Sequence, residues 1–281
     1  MDLPGTRTLW IEPFEKHDFE ASGRPVTVVC PQHPLDGKYW AWKGEFLDSF
    51  PGTELALLEK GFYIVYMKYS DKFGCPEVVR KWNELYRLLT NEYKFAGKPA
   101  LIGLSRGGLY CYQWAIANPE KVACIYGDAP VCDMRSWPGG KGKGRGSPGE
   151  WKKVMDVFGF SSESEAMAYD GNPVDNLAPL AESHVPILHV YGDADDAVPW
   201  EENTGVLAER YRQLGGDIAL IGKPGCGHHP HGLSDPAPVV DFILEHTVSN
   251  KPDAGNGLYA QDKAQATHRK EVRDVGIVEG P

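Results

Sequence analysis

A serine set between glycines, an aspartate cluster and a histidine cluster are the residues of this sequence best suited to covalent chemistry. Gly103-Leu104-Ser105-Arg106-Gly107 follows the apolar run Ala100-Leu101-Ile102 and precedes a helix-like pattern of Leu109, Tyr112, Ala115 and Ile116. Strand, sharp turn and helix, in that order, form the context that G-x-S-x-G requires. The turn projects the serine hydroxyl from the end of a strand, and glycines on either side avoid the collision that a Cβ would make there. The backbone N–H of Arg106, opening the helix, is placed to stabilise an oxyanion. A hydroxyl is a weak nucleophile near neutral pH. It needs an imidazole to take its proton and an acid to orient that imidazole.

The acid is expected in Gly192-Asp193-Ala194-Asp195-Asp196-Ala197-Val198-Pro199. The pattern favours Asp195; Asp193 and Asp196 suit capping of the following helix, and Asp128 after an earlier strand is a further alternative. The base is expected in Gly227-His228-His229-Pro230-His231, with His228 favoured and His229 second. Three histidines so close also raise a metal site. No carboxylate or second histidine cluster has matching spacing, and the proline prevents a helical His face, so no metal is expected.

Positioning these groups is a matter of alternation. Strands are predicted at 25–30, 62–68, from Ala100 into the serine turn, 121–130, 185–191 and 217–222, and helices at 52–61, 76–90, from Arg106, 201–214 and 238–246. Strand-helix alternation of this kind predicts an α/β fold, a mostly parallel sheet with helices on both faces. Ser105, Asp195 and His228 then all follow strands and share the sheet's carboxyl edge. Residues 1–24 read as an edge strand or hairpin. Residues 131–184 break the rhythm and read as a small cap insertion within a single domain, 1–247, followed by a polar tail, 248–281.

The chain has 281 residues, 42% of them hydrophobic and 24% charged, which is ordinary for a globular protein with a sizeable core. A net charge of −10 offers no general phosphate-neutralising surface, so nucleic acid is not expected as a partner. No apolar run approaches the ~20 residues of a membrane span. Met1-Asp2-Leu3-Pro4 lacks the basic and then apolar regions of a signal peptide, so a cytoplasmic location is expected, with a mature secreted or periplasmic form as the alternative. Cys30, Cys111 and Cys124 lie in apolar runs and read as buried thiols, while Cys75, Cys132 and Cys226 leave a disulfide open.

On Gly103–Gly107, Gly192–Pro199 and Gly227-His228, over about residues 25–247, the chain resembles the α/β-hydrolase superfamily. It resembles in particular the serine esterases of the prolyl-oligopeptidase-like and carbohydrate-esterase-like branches, where a similar His-His-Pro-His follows the last strand. The resemblance implies Ser105 as nucleophile, Asp195 as acid and His228 as base, with no metal or organic cofactor. It also implies a second oxyanion donor from the loop after an early strand. Pro31 has no N–H, so Gln32 or His33 is expected to fill that role. The implied activity is ester hydrolysis through an acyl-enzyme, on a small-molecule or carbohydrate ester. Tyr39-Trp40-Ala41-Trp42 reads either as a packed helix start or as a pocket wall, since flat rings suit sugar faces. Trp40, Trp42, Trp137 and His229 are the expected substrate contacts, and Lys141, Lys143 and Arg145 in a glycine-rich loop suit an anionic or sugar substrate. A serine peptidase and a non-catalytic binding module on the same scaffold are the alternatives.

Overall fold

The computed structural model describes residues 3–248, so the predicted tail from residue 249 onward lies outside the described residues. A hairpin opens the chain. Thr6–Ile11 (β1) pairs antiparallel with Phe14–Ala21 (β2), which pairs in turn with Arg24–Cys30 (β3). Trp40–Lys43 (β4), Gly52–Glu59 (α1), Tyr63–Met67 (β5) and Pro76–Arg87 (α2) follow. The serine run is Ala100–Leu104 (β6) and continues into Gly107–Ala117 (α3), then Cys124–Asp128 (β7). The insertion carries Pro148–Phe158 (α4), Glu163–Met167 (α5) and Ala178–Glu182 (α6). Ile187–Gly192 (β8), Val206–Gln213 (α7), Ile218–Lys223 (β9) and Ala237–Thr247 (α8) close the fold.

The strands form one sheet in the order β1-β2-β3-β5-β4-β6-β7-β8-β9. From β5 onward the pairings are parallel. The carboxyl ends of β6, β8 and β9 therefore lie at one edge. Strands buried on both faces read as continuous apolar runs, and every residue of β6 and β7 is buried. One core layer packs α2, α3 and α7 against a face of the sheet; the other packs α1 and α8 against the opposite face.

One central strand escapes the sequence pattern. Trp40 and Trp42 are not a helix start: they lie in β4, between β5 and β6. Side chains two apart share a face of a strand. Trp40 and Trp42 thus point to the same layer, where Trp42 stacks on Trp82 of α2 at 4.1 Å and meets Trp114 of α3 at 5.2 Å. Lys43 points to the other layer and forms a fully buried ion pair with Glu54 of α1.

The insertion packs through its own small cluster. Val131, Met134 and Val154, with half-buried Trp137 and Trp151, meet Leu109 of α3, Phe73 and Val198. All six cysteines are free thiols. Among the described residues no helix is long and apolar enough to cross a membrane.

Candidate active site

Ser105 follows β6 directly, with Arg106 between it and α3, and its backbone φ is +49°. A non-glycine residue in this region is strained and holds only where its surroundings fix it. Here they do: the Ser105 N–H donates to the Asp128 carbonyl at 2.9 Å, and the Ser105 carbonyl accepts from the N–H groups of Gly108 and Val131, each at 2.9 Å. The flanking glycines permit the close approach. A Cβ on Gly103 would sit 2.9 Å from Gly108 Cα, and one on Gly107 would sit 3.0 Å from the Glu45 nitrogen.

The Ser105 hydroxyl lies 2.9 Å from His228 Nε2, on the loop after β9. His228 Nδ1 lies 2.7 Å from Asp195 Oδ2, on the loop after β8. The other oxygen of Asp195 accepts from the N–H groups of Ala197 and Val198 at 2.9 and 2.8 Å. Burial alone would raise the Asp195 pKa. The hydrogen bond from His228, its charge and the two backbone donors outweigh burial and hold the carboxyl below its ordinary value. An ionised, doubly anchored acid fixes the imidazole with Nδ1 as donor and leaves Nε2 to accept the serine proton.

The other acids of the sequence reading have different employment. Asp193 accepts from the Gly225 N–H at 2.6 Å and ties the two loops together. Asp196 is exposed and pairs with Arg145 at 3.3 Å. Asp128 is buried at the end of β7. Its Oδ2 accepts from the Gly232 N–H at 2.7 Å, and its Oδ1 lies 3.4 Å from His231 Nδ1.

The oxyanion loop needs correction. β3 runs antiparallel to β5, so Gln32 and His33, which follow β3, lie at the opposite edge of the sheet from Ser105. There they border a surface cleft with Leu9 and Glu15. The strand whose carboxyl end faces Ser105 is β4, and its loop is Gly44-Glu45-Phe46. A Cβ on Gly44 would meet the Gly107 carbonyl at 2.5 Å, so this backbone lies against the turn that carries Ser105. The pattern missed it because a four-residue strand ending in lysine shows neither alternation nor an apolar run.

The expected substrate contacts also separate. Trp40 and Trp42 are 1% and 0% exposed, so they are core residues with no face for a ligand. Trp137 is half-buried and packs 6.4 Å from Phe73. His229 is exposed and stacks on Phe50 at 5.6 Å. The three basic residues of the glycine-rich loop are paired within the chain: Lys141 with Glu163, Lys143 with Glu201 and Arg145 with Asp196. Exposed pairs of this kind are weak, so the pairing lessens the support for an anion-binding lid without removing it.

The Arg106 side chain organises the neighbouring surface. The guanidinium binds Glu45 through two nitrogens, Asp71 at 2.9 Å and Glu150 of α4 at 2.8 Å. It also lies 5.4 Å from the ring centres of Phe46 and of Phe73. Lys153 joins the same group through Asp71 and Glu150. The residue after the serine thus links the β4 loop to the insertion. Burial pushes the Glu45 carboxyl above its ordinary value, and the hydrogen bond from Arg106 only partly offsets it.

No family model matches the chain. Over 169 residues it is 28% identical to the mitochondrial palmitoyl-protein thioesterase ABHD10 of Homo sapiens, and equally to that of Pongo abelii. The match covers 56% of this chain and 51% of each relative, so the chain spans about half the length of the curated relatives it matches. Among solved structures it is similar to dipeptidyl peptidase 4 of Porphyromonas gingivalis, with a TM-score of 0.64, 14% identity, and coverage of 83% of this chain and 35% of that one. It is similar as well to a puromycin-hydrolyzing peptidase of Mycobacterium tuberculosis, with a TM-score of 0.63, 13% identity, and coverage of 83% and 39%. The acylaminoacyl peptidase of Pyrococcus horikoshii gives a TM-score of 0.61, 13% identity, and coverage of 86% and 43%. These likenesses are to the fold.

Proposed function

From an α/β-hydrolase fold that sets Ser105, His228 and Asp195 in hydrogen-bonded sequence, we propose that this chain is a serine hydrolase acting on carboxylic esters or thioesters through a Ser105 acyl-enzyme. The observation that carries the reading is the unbroken chain from the Ser105 hydroxyl through His228 to Asp195, with the serine held at φ +49°. His228 Nε2 takes the hydroxyl proton as Ser105 Oγ attacks the substrate carbonyl. The Arg106 N–H, and a backbone N–H of the Glu45-Phe46 segment in place of the Gln32-His33 donors, stabilise the oxyanion. His228 then protonates the leaving group, and water repeats the cycle on the acyl-enzyme. Asp195 stabilises the imidazolium without taking its proton.

Trp137 and His229 stay within the proposed substrate surface, while Trp40 and Trp42 leave it. With the basic loop also paired internally, the support for a carbohydrate ester narrows, and a small acyl ester or thioester is favoured. The likeness to a thioesterase over half the chain supports the thioester. A peptidase is the second reading, because the solved structures of like fold are named as peptidases.

The test is a substrate panel with wild type and Ser105→Ala: p-nitrophenyl acetate and octanoate, an acyl thioester and a dipeptide p-nitroanilide. Ester or thioester turnover by wild type alone supports the proposal. Turnover of the anilide alone selects the peptidase, and equal rates for the two proteins exclude Ser105 as nucleophile.

A further inference from the structure

The loop that carries His228 brings two more imidazoles beside it. One ring nitrogen from each of His228, His229 and His231 lies within 4.8 Å of the others. The ring centres are 5.1 Å apart for His228 and His229, 4.7 Å for His228 and His231, and 4.9 Å for His229 and His231. A second feature sets this cluster apart from chance crowding. His228 and His231 each turn Nδ1 toward a buried carboxylate, Asp195 at 2.7 Å and Asp128 at 3.4 Å. Ligand histidines in proteins are commonly oriented in this way, with the far nitrogen free to bind the metal and the near one facing a carboxylate; at His228 that is a hydrogen bond, and at His231 the 3.4 Å approach falls short of one. Both nitrogens of His231 are buried without a hydrogen-bond partner, a costly state for a polar group unless something else satisfies it.

We propose that His228, His229 and His231 form an inhibitory site for a divalent transition metal of the zinc class. Imidazole suits zinc, copper and nickel, whereas magnesium and calcium require oxygen ligands. Zinc holds nitrogen ligands at about 2.0–2.1 Å in tetrahedral geometry, so the nitrogens must close to roughly 3.3 Å of one another. His229 is exposed and leaves the cluster open to solvent on one side. The metal takes the lone pair of His228 Nε2, the same pair that accepts the Ser105 proton, and breaks the 2.9 Å contact with Ser105. Binding and catalysis are therefore mutually exclusive. The binding half stands by itself; the inhibition half rests on the proposed hydrolase activity.

The test is titration calorimetry of ZnCl2 into metal-stripped full-length protein, with MgCl2 as control. Wild type is expected to bind one zinc, and Ser105→Ala to bind at least as tightly because the hydroxyl no longer competes. His229→Asn and His231→Asn are each expected to weaken binding about tenfold or more. His229 is exposed, so its variant stays informative even if the buried His231 change disturbs folding. No zinc binding by wild type, or affinity unchanged in His229→Asn, overturns the site. In parallel, zinc is expected to abolish ester turnover reversibly, with recovery on adding EDTA. Zinc that binds without slowing turnover overturns the inhibition. If no substrate is turned over at all, the calorimetry still decides the site.

Discussion

Two histidine–carboxylate couples stand side by side at the carboxyl edge of the sheet, and only one of them reaches a serine hydroxyl. In the Asp195–His228 couple the acid is fixed by two backbone donors and the far nitrogen of the imidazole meets a strained serine. In the Asp128–His231 couple the contact is a longer 3.4 Å and both ring nitrogens lack a hydrogen bond. Asp128 is spent instead on the backbone: its carbonyl accepts the Ser105 N–H and its carboxylate accepts the Gly232 N–H. The same residue types at one edge thus divide by geometry: one couple ends on a serine hydroxyl, and the acid of the other ends on backbone N–H groups. Side-chain identity does not decide the difference; what each far nitrogen meets does.

The largest effect that sharpens this contrast is loss of the base. His228→Ala or Ser105→Ala is expected to lower kcat about 10⁶-fold if the residues act as a unit, measured on whichever ester the wild type turns over. Asp195→Asn is expected to cost about 10⁴-fold, because the amide donates where the imidazole N–H must donate and imposes the wrong tautomer. Asp128→Asn is expected to stay within about tenfold of wild type, since the Asn carbonyl can still accept the Gly232 N–H and the net worth of such a bond is about 1 kcal/mol. A loss in Asp128→Asn as large as in Asp195→Asn would reverse the assignment of the two couples.

Stability against pH gives a smaller signature. The Asp195 carboxyl is held below its ordinary 3.8, so its contribution is in place above that pH and is lost as pH falls through the lower folded value. Asp195→Asn should flatten the acid limb below about pH 4. His189 is buried between the Tyr112 hydroxyl at 2.6 Å and the Thr204 hydroxyl at 3.0 Å. Burial lowers its pKa from 6.5 to about 3. The unfolded chain therefore takes up a proton that the folded chain refuses, and stability drops as pH falls from 6.5 toward that value. The urea midpoint of His189→Asn should shift less between pH 7 and pH 5 than that of wild type. The smallest expected effect is that of Glu150→Gln, which removes one of three carboxylates on Arg106. Under about 1 kcal/mol of stability and a few-fold change in KM are expected, because a partly exposed pair is screened by solvent.

The convergence of Ser105, Asp195 and His228 is legible in the sequence because each sits in a short local pattern at a strand end, and strand ends of a parallel sheet meet at one edge. What escaped depends on partners distant in sequence. β4 is a strand only because β5 and β6 flank it, and its tryptophans are core only because Trp82 and Trp114 lie above them. Missing that strand moved the oxyanion loop to Gln32 and His33, on the wrong edge. The basic residues at 141–145 looked available for a ligand because Glu163, Glu201 and Asp196 lie 20 to 60 positions away. The Asp128–His231 contact spans β7 to the last loop and leaves no local pattern.

The proposed chemistry turns on Ser105 being a nucleophile activated by His228. The most direct measurement is the site and rate of fluorophosphonate labelling, located by mass spectrometry in wild type and in His228→Ala. A single adduct on Ser105 is expected in wild type, with labelling slowed by several orders of magnitude in His228→Ala. An adduct on another residue, or equal labelling of Ser105 in both proteins, would contradict it.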